Sequence, residues 1–162
     1  MIIKIREITK GCFPKIIKQG DWIDLIAAET VVIGGPYSKY HKVEFTSKFI
    51  PLGIAIELPK GYEAIINPRS SIFKNYNCIL ANSQGVIDNT YCGNNDEWKF
   101  QAIALSDTVI KKGERICQFR IQLSQNATFV QKMRWLFNNR IEFKKVDKLK
   151  NKDRNGFGST GK

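Results

Sequence analysis

Apolar and polar residues alternate from the start of the chain. Met1-Ile2-Ile3-Lys4-Ile5-Arg6-Glu7 sets branched aliphatics against charged residues at a period that predicts a strand. Short apolar runs then recur, each closed by turn chemistry. Val31–Ile33 is followed by Gly34-Gly35-Pro36, residues 43–50 by Pro51, residues 52–58 by Pro59-Lys60-Gly61, and residues 62–66 by Asn67-Pro68. Residues 78–81, 99–105 and 116–123 are further strand candidates. The rhythm predicts an all-β sandwich or barrel rather than alternating strand–helix units.

One segment follows another period. Residues 127–138 carry Phe129, Val130, Met133, Leu136 and Phe137 at spacings of three and four, which predicts a helix, with Asn126 or Ser124 to cap its start. Such a helix packs on the sheet. With Lys132, Arg134 and Arg140 close by, it could instead face a partner or a membrane surface.

The chain has 162 residues, 43% of them hydrophobic, enough for one domain with a core of its own. No apolar run approaches the length that crosses a bilayer, and the first residues read as a strand rather than a secretory signal. A cytoplasmic protein is expected. The four cysteines, Cys12, Cys78, Cys92 and Cys117, form no C-x-x-C pair, so reduced thiols are expected rather than zinc. The single histidine, His41, sits in a Gly- and Tyr-rich stretch that reads as a solvated loop. A net charge of +11 favours an anionic partner: nucleic acid, a phosphorylated metabolite or a membrane surface. Residues 132–154 hold nine basic and three acidic residues, and the glycine-rich end beyond them has little reason to fold alone.

Candidate chemistry is densest in Gly85-Val86-Ile87-Asp88-Asn89-Thr90-Tyr91-Cys92-Gly93. A tight turn here would aim the Asp88 carboxylate and the Tyr91 ring into one small cavity. Asp88 could then orient a water and Tyr91 offer a flat wall to a sugar.

Five segments, in order, resemble the trimeric dUTP diphosphatase (dUTPase) family. They are Gly20-Asp21-Trp22-Ile23-Asp24-Leu25; Pro68-Arg69-Ser70-Ser71; Asn82 through Gly93; Gly113-Glu114-Arg115-Ile116-Cys117-Gln118; and Gly156-Phe157-Gly158-Ser159-Thr160-Gly161. The wording around Gly20 and Asp96 is similar to the Firmicutes and phage branch. The resemblance implies a single jelly-roll-like β-barrel domain over residues 1–150, with one short helix and a flexible C-terminal lid over residues 151–162. It implies hydrolysis of dUTP to dUMP and pyrophosphate, with Mg²⁺ as cofactor, by a homotrimer whose sites are shared between chains.

By the same resemblance Asp88 is the catalytic residue. Tyr91 packs under the deoxyribose and leaves no room for a 2′-hydroxyl. Asn82 and the turn Gly85, Val86 and Ile87 read the uracil. Arg69 and Ser70 touch the phosphates or orient Asp88, with Ser71 beside them. Gln118 donates to a phosphate, and Asp24 meets the metal through water. From the tail, Phe157 stacks on the base, Gly158, Ser159 and Thr160 hold the γ-phosphate, and Arg154 or Lys152 supplies a phosphate-binding cation. Trp98 is expected in the core.

Two other readings remain open at this point. A dCTP deaminase on the same fold would use a glutamate base, for which Glu97 is the nearby candidate. A nucleotide-loaded trimer could instead bind a regulatory protein or nucleic acid without catalysis. Nucleic acid is not required by the first reading, and no membrane is expected.

Overall fold

The computed structural model describes residues 1–16 and 20–156. Fourteen strands and two short helices follow one another among these residues. β1 (Ile2–Glu7) buries Ile3 and Ile5 on one face, as its alternation predicts. β2 (Ile23–Ile26), β3 (Val31–Ile33), β4 (Tyr37–Lys39), β5 (Lys42–Glu44), β6 (Ser47–Pro51) and β7 (Ile54–Glu57) follow. A Pro-Lys-Gly turn, with Gly61 at φ +85°, leads into β8 (Tyr62–Pro68). A positive φ suits glycine there. Helix α1 (Ile72–Tyr76) comes next, then β9 (Cys78–Leu80), β10 (Gly85–Asp88), β11 (Lys99–Ala104), β12 (Thr108–Ile110) and β13 (Arg115–Leu123). Helix α2 (Phe129–Phe137) and β14 (Glu142–Val146) complete the order.

The strands form five sheets with orders β14-β1-β7, β10-β8-β13-β2, β6-β11-β9, β12-β3 and β4-β5. The expected all-β, jelly-roll-like architecture is present. Two details correct the expectation: there are two short helices rather than one, and the pairings among the described residues do not close a barrel. The unforeseen α1 spans only five residues, too few to carry a helical period, and Asn77 in the left-handed region ends it.

Packing explains most of the register. On β13 the inward positions are Cys117, Phe119 and Ile121, and a bulge between Arg115 and Cys117 lets Ile116 turn inward as well. Phe119 meets Trp98 edge to face at 5.2 Å and stacks on Phe143 of β14 at 6.0 Å. Trp98 is fully buried, as expected. α2 sits where its periodicity places it, yet none of its residues is buried, and Phe129, Leu136 and Phe137 are exposed. It is held by a capping box between Thr128 and Gln131, by Gln131 donating to the Lys60 carbonyl at 2.6 Å, and by Trp135 against Tyr62 at 5.6 Å.

After α2 the chain returns across its own body. β14 runs parallel to β1, and the Lys145 ammonium pairs with Glu7. Leu149 is buried, and its backbone exchanges two hydrogen bonds with the Asn94 side chain at 2.8 and 2.9 Å. Among the described residues no helix is long and apolar enough to cross a membrane.

Candidate active site

β10 is an edge strand paired antiparallel with β8, and its last residue is Asp88. The chain then turns sharply. The Thr90 amide and hydroxyl donate to Asp88 Oδ1 at 2.7 and 2.5 Å, and the Tyr91 amide reaches the Asp88 carbonyl. This turn brings the acid and the ring to one cavity of about 290 Å³, lined also by Asn82, Gly85, Val86, Ile87, Arg154 and Gly156. Seven residues singled out from sequence therefore meet here: Asn82, Gly85, Val86, Ile87, Asp88, Tyr91 and Arg154. Ile66, Leu80, Trp98, Lys99 and Gln101 complete the lining, and all of these but Trp98 carried no sequence signal as pocket residues. Trp98 is both core and pocket wall, with its indole N–H buried and unpartnered.

Asp88 is half exposed, and Arg154 Nη1 stands 2.8 Å from its Oδ2. Burial raises the Asp88 pKa, but hydrogen bonds from Thr90 and the guanidinium of Arg154 outweigh it and hold the carboxyl below its usual range. Asp88 is thus an ionised acceptor at neutral pH. The Tyr91 hydroxyl donates to the Glu97 carbonyl at 2.9 Å. Burial, followed by the charges of Asp96, Glu97 and Asp153, pushes its pKa up to about 12, so the ring stays neutral. Gly156 lies against that ring: a Cβ on it would stand 2.9 Å from Tyr91 Cε2. Lys152, the alternative cation, is not part of the lining; Arg154 is.

A second group of candidates gathers elsewhere. Asp24 on β2 accepts from Arg69 Nε at 2.9 Å and from Arg115 Nη1 at 3.0 Å. Gln118 of β13 lies opposite Asp24 in register and opposite Asn67 on its other side. Ser70 and Ser71 follow Arg69, and Ser71 opens α1 without a side-chain cap bond. Arg69 therefore pairs with Asp24 and not with Asp88. Asp88 and Asp24 lie on the opposite edge strands of the sheet β10-β8-β13-β2, whereas Gln118 is on the central strand β13 and Arg69 directly follows the central strand β8. Three inter-strand spacings separate those edges, about 14 Å, with a further offset along the strands. Phe157, Gly158, Ser159 and Thr160 lie outside the described residues.

The metal expectation can be tested on the donors present. Among the described residues, no three His, Cys, Asp or Glu side chains converge on a point that could hold an ion. Asp24 is a single carboxylate with an arginine on each oxygen. That set fits a hydrogen bond to water on a phosphate-held Mg²⁺, which keeps much of its hydration, and does not fit a protein cage. Glu97, the candidate base of the deaminase reading, turns away from the cavity and accepts from the Gly53 amide at 3.0 Å.

A mostly antiparallel β fold thus gathers an ionised acid, an aromatic wall and an arginine around one cavity. The chain belongs to the dUTPase family, whose profile matches residues 36–161. It is 51% identical to the SPbeta prophage-derived deoxyuridine 5'-triphosphate nucleotidohydrolase YosS of Bacillus subtilis, over 90% of this chain and 87% of that protein. It is 34% identical to the deoxyuridine 5'-triphosphate nucleotidohydrolase of Helicobacter pylori J99, over 99% of this chain and 97% of that one. Among solved structures, the dUTPase of Streptococcus mutans superposes with a TM-score of 0.61 at 24% identity, covering 72% of this chain and 89% of that one. A mutant dUTPase of phage phi11 of S. aureus, described with a structural Mg(II) ion, superposes with a TM-score of 0.61 at 16% identity, covering 78% and 94%. At such identities these structures speak for the fold.

Proposed function

We propose that Asp88 orients the water by which this dUTPase hydrolyses dUTP to dUMP and pyrophosphate. The observation that carries this reading is the single cavity lined together by Asp88 and Tyr91, at the turn after β10, and by Asn82, in the turn before it. A water on the free face of the Asp88 carboxylate attacks the α-phosphorus, the bond to the bridging oxygen of the β-phosphate breaks, and the water's proton passes to Asp88. Placement matters more than basicity, because a carboxylate is a weak base at neutral pH. Asn82 offers a donor and an acceptor to the uracil edge, helped by the backbone of Gly85, Val86 and Ile87. Tyr91 closes the space that a 2′-hydroxyl would need.

Arg154 leaves Asp88 for the phosphates when the triphosphate enters. A bound Mg²⁺ would draw charge from the phosphate oxygens, with Asp24 hydrogen-bonded to a water of its shell. Arg69, Ser70, Ser71 and Gln118 belong to the phosphate side with Asp24. Within one chain Asp24 lies too far from Asp88 to serve the same triphosphate. The complete site therefore combines the Asp88 edge of one chain with the Asp24 edge of another, as a homotrimer provides. The lid is assigned to residues 151–162, of which 157–162 lie outside the described residues, the body being residues 1–150. The work is done in the cytoplasm, on a free nucleotide, with neither nucleic acid nor a membrane required; a regulatory protein partner is compatible with it. The orientation of Glu97 toward Gly53 disfavours deamination. Pyrophosphate release measured across the deoxynucleoside triphosphates tests the reading: dUTP alone should be turned over rapidly, and ammonia release from dCTP would refute it.

A further inference from the structure

We infer that Asp96 is a positioning residue, which fixes the backbone at Arg154 and Asn155 so that the Arg154 guanidinium stands on Asp88. The inference rests on the proposed roles of Asp88 and Arg154. Asp96 is 1% exposed and is the one charged residue buried as a whole among the described residues. A buried carboxylate is costly unless its oxygens are hydrogen-bonded. Here three backbone amides serve it. Gly93 N–H donates to Oδ2 at 2.8 Å, Arg154 N–H is shared between Oδ1 and Oδ2 at 3.0 and 2.9 Å, and Asn155 N–H donates to Oδ1 at 3.1 Å. Two of the three come from residues 58 and 59 positions further along the chain. Without residues 154 and 155 in place, the acid would retain only the Gly93 amide.

Neighbouring contacts make the same junction tight. The Asp153 carboxylate accepts from the backbone and side-chain nitrogens of Asn95 at 2.8 and 2.6 Å. Gly93 is needed for the approach, since a Cβ there would fall 2.4 Å from Asp153 Cα and 2.6 Å from its amide nitrogen. Asn155 takes a left-handed φ of 57°, which turns the chain sharply just after the two amides that meet the carboxylate. With the backbone held, the Arg154 side chain spans the remaining gap to Asp88 Oδ2 at 2.8 Å. Asp96 is not itself part of the cavity lining and has no hydrogen bond to Asp88; the lining residue it holds by hydrogen bonds is Arg154.

The test is a double-mutant cycle on kcat/KM for dUTP, with thermal melting as the control for folding. Arg154→Ala should lower kcat/KM by roughly ten- to a hundredfold, the scale of a charge-assisted hydrogen bond. Asp96→Asn should lower it comparably, because its amide group opposes an incoming N–H. In the Arg154→Ala background, Asp96→Asn should cost less than about twofold, since the residue through which it acts is already gone. The acid limb of the kcat/KM profile, which reports the free enzyme, should move to higher pH by the same amount in both single variants. Each removes the cation from Asp88 and leaves Glu63 on β8 and Lys99 across the cavity unchanged.

A fold defect would instead cost the same in both backgrounds and leave the acid limb in place, which overturns the inference. If Asp96→Asn does not fold, Asn155→Pro interrupts the junction from its exposed side without touching the core. It should reproduce the loss and vanish in the Arg154→Ala background, and full activity in that variant also overturns the inference. An undiminished Arg154→Ala enzyme would overturn both the role of Arg154 and the inference. A diminished one without coupling to Asp96 overturns the inference alone.

Discussion

Arg154 Nη1 lies 2.8 Å from Asp88 Oδ2, joining residues 66 positions apart at the mouth of the cavity. The contact is made by a segment that returns over its own body along β1 and the loop of residues 93–96. It puts a cation on the proposed water-orienting acid before any substrate arrives. Replacing that contact by one to phosphate costs little charge desolvation, so the pair is a placeholder that a triphosphate can displace.

Acid should release this returning segment first. Of the carboxylates that tie residues 142–156 to the body, three lie below their usual pKa: Glu7, Asp153 and Asp88. For Glu7 the largest cause is the hydrogen bond from Lys145; for Asp153 it is the Asn95 amide; for Asp88 burial works upward but Thr90 and Arg154 outweigh it. Depressed carboxylates contribute stability that is complete above their unfolded pKa, about 4, and lost as pH falls through the lower folded values. Hydrogen exchange at residues 142–156 should therefore accelerate below about pH 4 while the β8 and β13 amides remain protected. Simultaneous loss of protection in both regions would contradict the assignment.

Tyr91 forms a wall of the cavity and its hydroxyl is fixed on the Glu97 carbonyl. Tyr91→Ala should open room at the sugar, raising kcat/KM for UTP relative to dUTP by about tenfold or more, as expected when a steric block is removed. Steady-state kinetics on the two triphosphates measures this. An unchanged ratio would place sugar selection elsewhere.

Complementation between inactive variants tests whether the two edges of the sheet serve one site in different chains. Asp88→Asn and Asp24→Asn should each be nearly inactive alone. After mixed refolding at equal amounts, about a quarter of the sites should combine two unaltered edges and recover activity. Activity that stays at the level of the separate variants would mean that both edges act within one chain.

The four cysteines should be silent in the native protein. All are free and buried, and burial is the main cause that pushes each thiol pKa up, furthest for Cys117. A thiol reagent followed by mass spectrometry should add no label to the folded protein and four labels after denaturation. Rapid labelling of Cys117 in native buffer would contradict its place on β13.

The legibility of the sequence depended on how local each signal was. Alternation on β1 and β13 and turns such as Pro59-Lys60-Gly61 are local, and the sheet strands were readable from them. The runs 43–50 and 52–58 were read too long, because Phe45 and Leu52 are apolar residues of connecting segments. The period of α2 was readable, but its exposure was not, because a capping box and one aromatic pair hold it where an apolar face was expected to do so. Asp88, Tyr91 and Asn82 were legible since one turn brings them together. Asp96 was not: an acid within Asn94-Asn95-Asp96-Glu97 reads as solvated loop, and only a segment almost sixty residues away turns it into a buried anchor. Leu80 reaches the cavity from β9, a strand whose role in sequence was simply core.

The most direct test of the central claim is the rate of pyrophosphate release from dUTP by Asp88→Asn. The variant should melt like the parent protein and bind a non-hydrolysable dUTP analogue, with kcat reduced by roughly a hundredfold to ten-thousandfold, the range for loss of a positioned general base. A folded Asp88→Asn enzyme with undiminished kcat would contradict the account.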